Sequence, residues 1–259
     1  MPTFTLLEKL YSSGSPETFE TLYSSLVSGL QVQLRFAGTT NRGWIQLDVS
    51  GEDETAALSL LNREAGLAPV SVDNLKKFSV ARGKIVSSSK NADELYVDLG
   101  VFSPHVLDAV LPEKLLRGQL VDGKELPLQT LVELFCLYDN VPLEVKIVQD
   151  VGSGNKTVEA CLSEAQLSLF NRWVSCGFDR LIVLGSTFSE VERAVKLSRH
   201  FRDVIKVEPL GVLEQSILCK LGTDAVGLIP KLGRYLKFAV LAPFSPKKIV
   251  ETVGSQPFG

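Results

Sequence analysis

The chain has 259 residues, of which 45% are apolar and 22% charged, and its net charge is −3. That length holds one large domain or two to three small ones, and the charge excludes a global attraction to polyanions. Charge is uneven, however: residues 163–259 carry 13 Lys and Arg against 9 Asp and Glu, whereas both preceding thirds are acidic. The four cysteines, Cys136, Cys161, Cys176 and Cys219, form no Cys-x-x-Cys pair and read as reduced, buried thiols. Glu8 and Lys9 interrupt the first apolar run, so no signal pattern is read, and no stretch approaches the ~20 apolar residues that span a bilayer. A cytoplasmic protein without membrane contact is expected.

Residues 1–78 open with a strand over Thr3–Leu7. Ser15-Pro16-Glu17 follows as a helix start, with Ser as cap, Pro at the first position and an acid in the first turn. Phe19, Leu22, Tyr23, Leu26 and Val27 share one helical face, and Gly29 stops the helix. Val32–Phe36 and Trp44–Val49 alternate as strands around a polar turn. Gly51–Glu54 then opens a second helix, with Ala57, Leu58, Leu60 and Leu61 inward. Strand, helix, strand, strand, helix is the order of a ferredoxin-like sandwich.

Residues 79–162 differ. Two hairpins, Ser79–Val86 with Leu95–Gly100 and Leu143–Val148 with Thr157–Leu162, flank helical segments starting near Pro112 and Pro127. This pattern predicts an OB-type β-barrel with a helical insertion and a third strand that is short or irregular. With period two, Leu95, Val97 and Leu99 point inward. Arg82, Lys84, Tyr96, Glu94 and Asp98 then point outward.

Residues 163–259 begin with a linker helix behind the capping pattern Ser163–Gln166. The strand–helix–strand–strand–helix–strand order then returns. Arg180–Leu184 is its first strand, and the Thr187–Glu190 capping box starts a helix running to about His200. Strands follow at Val204–Val207 and Val212–Leu221, then a helix from Thr223-Asp224 through Leu232, then a final strand at Phe238–Leu241. The expected class is therefore α+β: a ferredoxin-like module, a central OB-type β-barrel and a second ferredoxin-like module.

Candidate chemistry is sparse. His105 and His200 are the only histidines, and no cluster has metal-ligand spacing, so no metal, cofactor or catalytic group is assigned. Tyr96 beside Arg82 and Lys84 forms a stacking platform in which a ring accepts a base and a cation holds phosphate. The competing reading pairs Arg82 and Lys84 across the strands with Glu94 and Asp98. A second candidate is the basic run Arg193, Lys196, Arg199, Arg202 and Lys206, with Lys220 beside a second strand–helix junction. The bland counterpart is a solvated helix face in which Glu192 supports Lys196. Strand-to-helix turns at Gly185 and Gly222 offer free backbone N–H groups but lack a phosphate-loop pattern. An enzyme acting on a small anion would need a deep pocket there.

Several runs, among them Trp44–Glu54, Asn62–Pro69, Tyr96–Gly100 and Cys219–Ala225, together resemble an uncharacterised archaeal protein family, catalogued only as a domain of unknown function. The resemblance spans nearly the whole chain and carries no activity to transfer. The middle segment also resembles the OB-type domain repeated in a large bacterial ribosomal protein. Where that pattern has an aromatic and a glycine, this chain has Asp93 and Glu94, which leaves Phe102 and His105 to replace the missing ring. From the cation and ring candidates and the lack of catalytic groups, a non-enzymatic protein that binds single-stranded or structured RNA, tied to translation or RNA processing, is expected. The alternative is a protein-interaction scaffold with a protein partner and no nucleic acid.

Overall fold

A computed structural model describes residues 2–11, 16–86, 93–151 and 155–254. The expected cap at Ser15 and the 152–154 part of the second hairpin turn lie outside the described residues. The chain begins β1 (Thr3–Lys9), α1 (Pro16–Leu26), β2 (Val32–Thr39), β3 (Trp44–Gly51) and α2 (Glu54–Glu64). The sheet order is β1-β3-β2, antiparallel throughout. Phe19 and Tyr23 of α1 and Ala57 and Leu61 of α2 cover the buried Ile45, Leu47 and Val49 of β3. On the free side of β1, the Leu7 N–H donates to the Gly66 carbonyl at 3.0 Å and the Ala68 N–H to the Thr5 carbonyl at 2.9 Å. Residues 66–68 thus stand where a fourth strand would.

The middle of the chain comprises β4 (Val70–Ser71), β5 (Val80–Val86), β6 (Glu94–Ser103), β7 (Leu107–Pro112), α3 (Glu113–Leu120), α4 (Leu128–Phe135), β8 (Pro142–Ile147) and β9 (Thr157–Leu162). Five of these strands close a barrel: β6 pairs β5 and β7, β5 pairs β8, β8 pairs β9, and β9 returns parallel to β7. The third barrel strand, expected to be short or irregular, is β7. It has 6 residues and is paired on both sides. Ile85, Leu95, Val97, Leu99, Ala109, Leu111, Val145 and Ile147 fill the interior, all at 0% exposure. Gly83 is needed where β5 meets β6, because a Cβ there would sit 2.3 Å from the Asp98 carbonyl oxygen.

The remainder comprises α5 (Glu164–Ser175), β10 (Arg180–Leu184), α6 (Phe188–Leu197), β11 (Val204–Pro209), β12 (Glu214–Cys219), α7 (Ala225–Leu232), β13 (Val240–Phe244) and α8 (Pro246–Val253). Its sheet runs β11-β12-β10-β13, antiparallel throughout. The Thr187–Glu190 capping box is present in full. Only half of the one at Ser163 forms. The Ser163 hydroxyl accepts the Gln166 N–H at 3.1 Å, but the Gln166 side chain turns to accept the Glu144 N–H instead. α6 stops at Leu197 rather than His200, because Arg199 takes a left-handed φ of 61°. α8 was not anticipated, although Pro246 in its first turn and Gly254 just past its end mark both termini.

The three units share cores. Leu181, Val183 and Ile217 face α6 and α7. Ile182, Leu184, Ala242 and Phe244, on the other side of the same sheet, join the barrel core with α5 and α8. Leu213, before β12, belongs to the core of the first sheet. Among the cysteines Cys136 and Cys219 are buried, whereas Cys161 is half-buried and Cys176 exposed, which corrects the expectation of buried thiols; all four are free thiols.

Candidate nucleic-acid interface

The β5–β6 hairpin places Lys84 opposite Asp98, as its alternation predicts. Both side chains leave the barrel, yet neither reaches solvent: Lys84 is 1% and Asp98 0% exposed. The two flanking units cover them, which corrects the exposed stacking platform expected around Lys84. The Lys84 ammonium donates to Glu8 Oε2 at 2.7 Å and to both carboxylate oxygens of Glu214 at 2.9 Å. The Tyr11 hydroxyl also donates to Glu214, and the Val212 N–H donates to Glu8 at 3.1 Å. Asp98 accepts from Lys9 at 2.7 Å, from the Trp44 indole at 3.1 Å and from the Gly100 N–H at 3.0 Å. Arg42 reaches Asp98 at 3.4 Å while it clasps Asp108.

This junction gathers residues from all three units, and its electrostatics follow from burial. Burial raises the Glu8 carboxyl from 4.5 to about 7; Lys84 opposes that rise and the neighbouring Glu214 reinforces it. Burial alone would lower Lys84, but Glu214 and Glu8 together lift it above its ordinary value. For Lys9 burial wins over Asp98, and its value falls. Two carboxylates around one ammonium leave one negative charge uncompensated, so a proton on Glu8 is the cheapest remedy.

The rest of the expected platform is also engaged. Arg82 pairs with Glu144 of β8 at 3.1 Å rather than with Glu94 or Asp98. The Tyr96 hydroxyl donates to Glu94 at 2.7 Å. Phe102 is exposed, and His105 Nε2 lies 2.7 Å from the Asn155 carbonyl oxygen.

The basic run of the last unit divides in two. Lys196 lies 3.8 Å from Glu192, as the helix spacing foretells, and Lys206 pairs with Glu208 at 2.6 Å. Arg193, Arg199, Arg202 and Lys220 are exposed and have no acidic partner among the described residues. The last three converge where α6 hands over to β11 and β12 to α7: the Lys220 N–H donates to the Asp203 carbonyl at 2.8 Å. Phe201 is 56% exposed, with Arg202 5.8 Å from its ring centroid. Tyr235, 47% exposed, donates to the Leu197 carbonyl at 3.2 Å and brings the segment after α7 to the same end of α6. The sequence reading missed Phe201 and Tyr235. The signal was present, since Phe201 adjoins Arg202 and Tyr235 adjoins Arg234.

A cavity of 350 Å³ lies away from Gly185 and Gly222, at the seam between α5, the β5–β8 side of the barrel and the end of β11. Among the described residues no group of His, Cys, Asp and Glu is placed to hold a metal ion, and no helix is long and apolar enough to cross a membrane. No curated protein matches the chain. Residues 3–69 match the DUF2110 N-terminal domain, and residues 178–242 match the DUF2110 C-terminal domain. With both halves present in order and just over half of its length matched, the chain belongs to the DUF2110 family.

Proposed function

We propose that this is a non-enzymatic RNA-binding protein, associated with translation or RNA processing, and that its C-terminal unit makes the main contact. The observation that carries the reading is the cluster of Arg199, Arg202 and Lys220. These cations lack acidic partners among the described residues and stand beside the exposed rings of Phe201 and Tyr235. Cations hold phosphate, and a ring accepts any base face. The fold is consistent with this use. The barrel strands, numbered from β5, close in the order 1-2-3-5-4 with helices between the third and fourth, which we take as an OB-type module. The last sheet, with its two helices on one side, we take as ferredoxin-like. The first is a version whose fourth strand is reduced to residues 66–68.

The test is an anisotropy titration of a labelled single-stranded RNA at several salt concentrations. Affinity should fall log-linearly with salt, by about 0.7 per phosphate contact. Arg202→Glu with Lys220→Glu should weaken binding and flatten that slope by more than one contact's worth. Phe201→Ala should cost on the order of tenfold. No binding at about 50 mM salt, or an unchanged slope in the double variant, overturns the reading. One observation favours a protein partner instead: Leu221 is 86% and Val226 55% exposed, flanking the start of α7, and clustered apolar exposure marks interaction sites. Co-purification of a protein that survives nuclease treatment would support that second reading.

A further inference from the structure

We propose that the seam cavity is a binding site for a single nucleotide unit, a planar base carrying its phosphate; the RNA source of that unit rests on the reading above, whereas a free mononucleotide does not. The cavity measures 350 Å³ and lies between two units of the fold, within the range of pockets that hold small ligands and in a place where they recur. Its lining is mainly apolar. Phe170 and Trp173 of α5, packed edge-to-face with centroids 6.0 Å apart, form one wall, and Leu210 from the last unit faces the same space. The Cys136 thiol also lines it, and burial pushes that thiol up to about 12, so it presents a neutral surface.

Three polar groups give the cavity a direction. Gln166 lends its oxygen to the Glu144 N–H at 3.1 Å, which fixes the amide, while its Nε2 donates to no protein group among the described residues. That Nε2 is a donor for an acceptor on a base edge. Arg172 and Arg82 stand exposed among the lining residues. Arg82 is already paired with Glu144, and Glu144 also takes a hydrogen bond from the Ser163 hydroxyl at 2.7 Å. Arg172 has no acidic partner among the described residues and is the cation free to meet a phosphate. An apolar cavity edged by aromatic rings, one amide donor and one unengaged guanidinium suit the base and phosphate of one nucleotide.

The experiment titrates AMP and UMP, and separately a single-stranded oligonucleotide, into the full-length chain, by calorimetry and by the two tryptophan indole N–H resonances. Trp173 lines the cavity whereas Trp44 lies in the charged junction, so mononucleotide binding should move the Trp173 resonance and leave Trp44 in place. Arg172→Glu, on the exposed rim, should weaken mononucleotide binding about ten- to hundredfold. Ala165→Phe, which sets a bulky side chain on the exposed edge of the cavity, should weaken it as well. In either variant the oligonucleotide should lose the Trp173 shift; Ala165→Phe should keep the salt slope, whereas Arg172→Glu should lower it by about one contact's worth. Absence of mononucleotide binding at millimolar concentration overturns the proposal, and so does binding that neither variant changes. Loss of oligonucleotide binding in the wild-type chain overturns the RNA reading alone, because the mononucleotide titration reports on the cavity by itself.

Discussion

Glu8→Gln should make this protein's stability less sensitive to rising pH, although it removes one partner of a buried lysine. Glu8 sits between the Lys84 ammonium at 2.7 Å and the Val212 N–H at 3.1 Å, with Glu214 sharing the same ammonium and Tyr11 and Tyr23 nearby. Its carboxyl moves from 4.5 to about 7. That shift disfavours ionisation in the fold by roughly 3 kcal/mol relative to the unfolded chain. The folded pKa is the higher one, so the protonated group contributes fully below pH 4.5. The contribution falls as pH rises from there to about 7 and is flat beyond. Gln cannot ionise, but its Nε2 accepts no hydrogen bond, so the variant loses either the Lys84 or the Val212 bond at every pH. Urea unfolding of both proteins from pH 4.5 to 8.5 isolates the difference, because other titrations cancel between them. At the acid end the variant should be the less stable, by about 1–3 kcal/mol for the lost bond. As pH rises through about 7 the variant should gain on the natural sequence by up to roughly 3 kcal/mol, closing or reversing that gap. If the gap does not narrow between pH 4.5 and 8.5, Glu8 is ionised in the fold throughout and the reasoning fails.

Lys84→Met leaves Glu8 and Glu214 buried without their cation, and should cost about 3–5 kcal/mol above pH 7 and clearly less near pH 5, where a carboxyl can neutralise itself; urea midpoints at the two pH values check this, and an equal loss at both would point to packing instead. Gly83→Ala forces a Cβ to within 2.3 Å of the Asp98 carbonyl and 2.7 Å of Val97 Cγ1. It should part β5 from β6 and lower the thermal midpoint by at least a few degrees, at a cost of about 1–3 kcal/mol.

Much of the fold could be read from local pattern because its elements announce themselves locally. Thr187 and Glu190 close a reciprocal capping box over four residues, and Leu95, Val97 and Leu99 alternate into a barrel interior. What escaped depends on residues distant in sequence. α8 has ordinary end signals, yet what holds it is burial of Ile249 and Val253 in the barrel core, far from its neighbours in the chain. The capping pattern at Ser163 is genuine, but Gln166 finds a better partner in Glu144, 22 residues away.

The charged residues follow the same logic more sharply, and they decide where function can lie. Alternation put Lys84 and Asp98 on the outer surface of a hairpin, and for an isolated barrel that would be an exposed surface. Lys84 instead pairs with Glu8 and Glu214, separated from it by 76 and 130 residues, and Asp98 pairs with Lys9 across 89. A cation inside a three-way seam cannot meet a phosphate without opening the fold, and opening it would strand two buried carboxylates at a cost of several kcal/mol. The hairpin therefore acts as the joint between units, and a polyanion must use cations that no acid has claimed. Arg202 and Lys220 meet that condition on the last unit and Arg172 meets it at the cavity, all within the segment that carries the excess of positive charge. Reversing Arg202 and Lys220 should therefore weaken RNA binding while leaving urea stability within about 0.5 kcal/mol, as expected for surface substitutions; a comparable loss of both would return these side chains to a structural role.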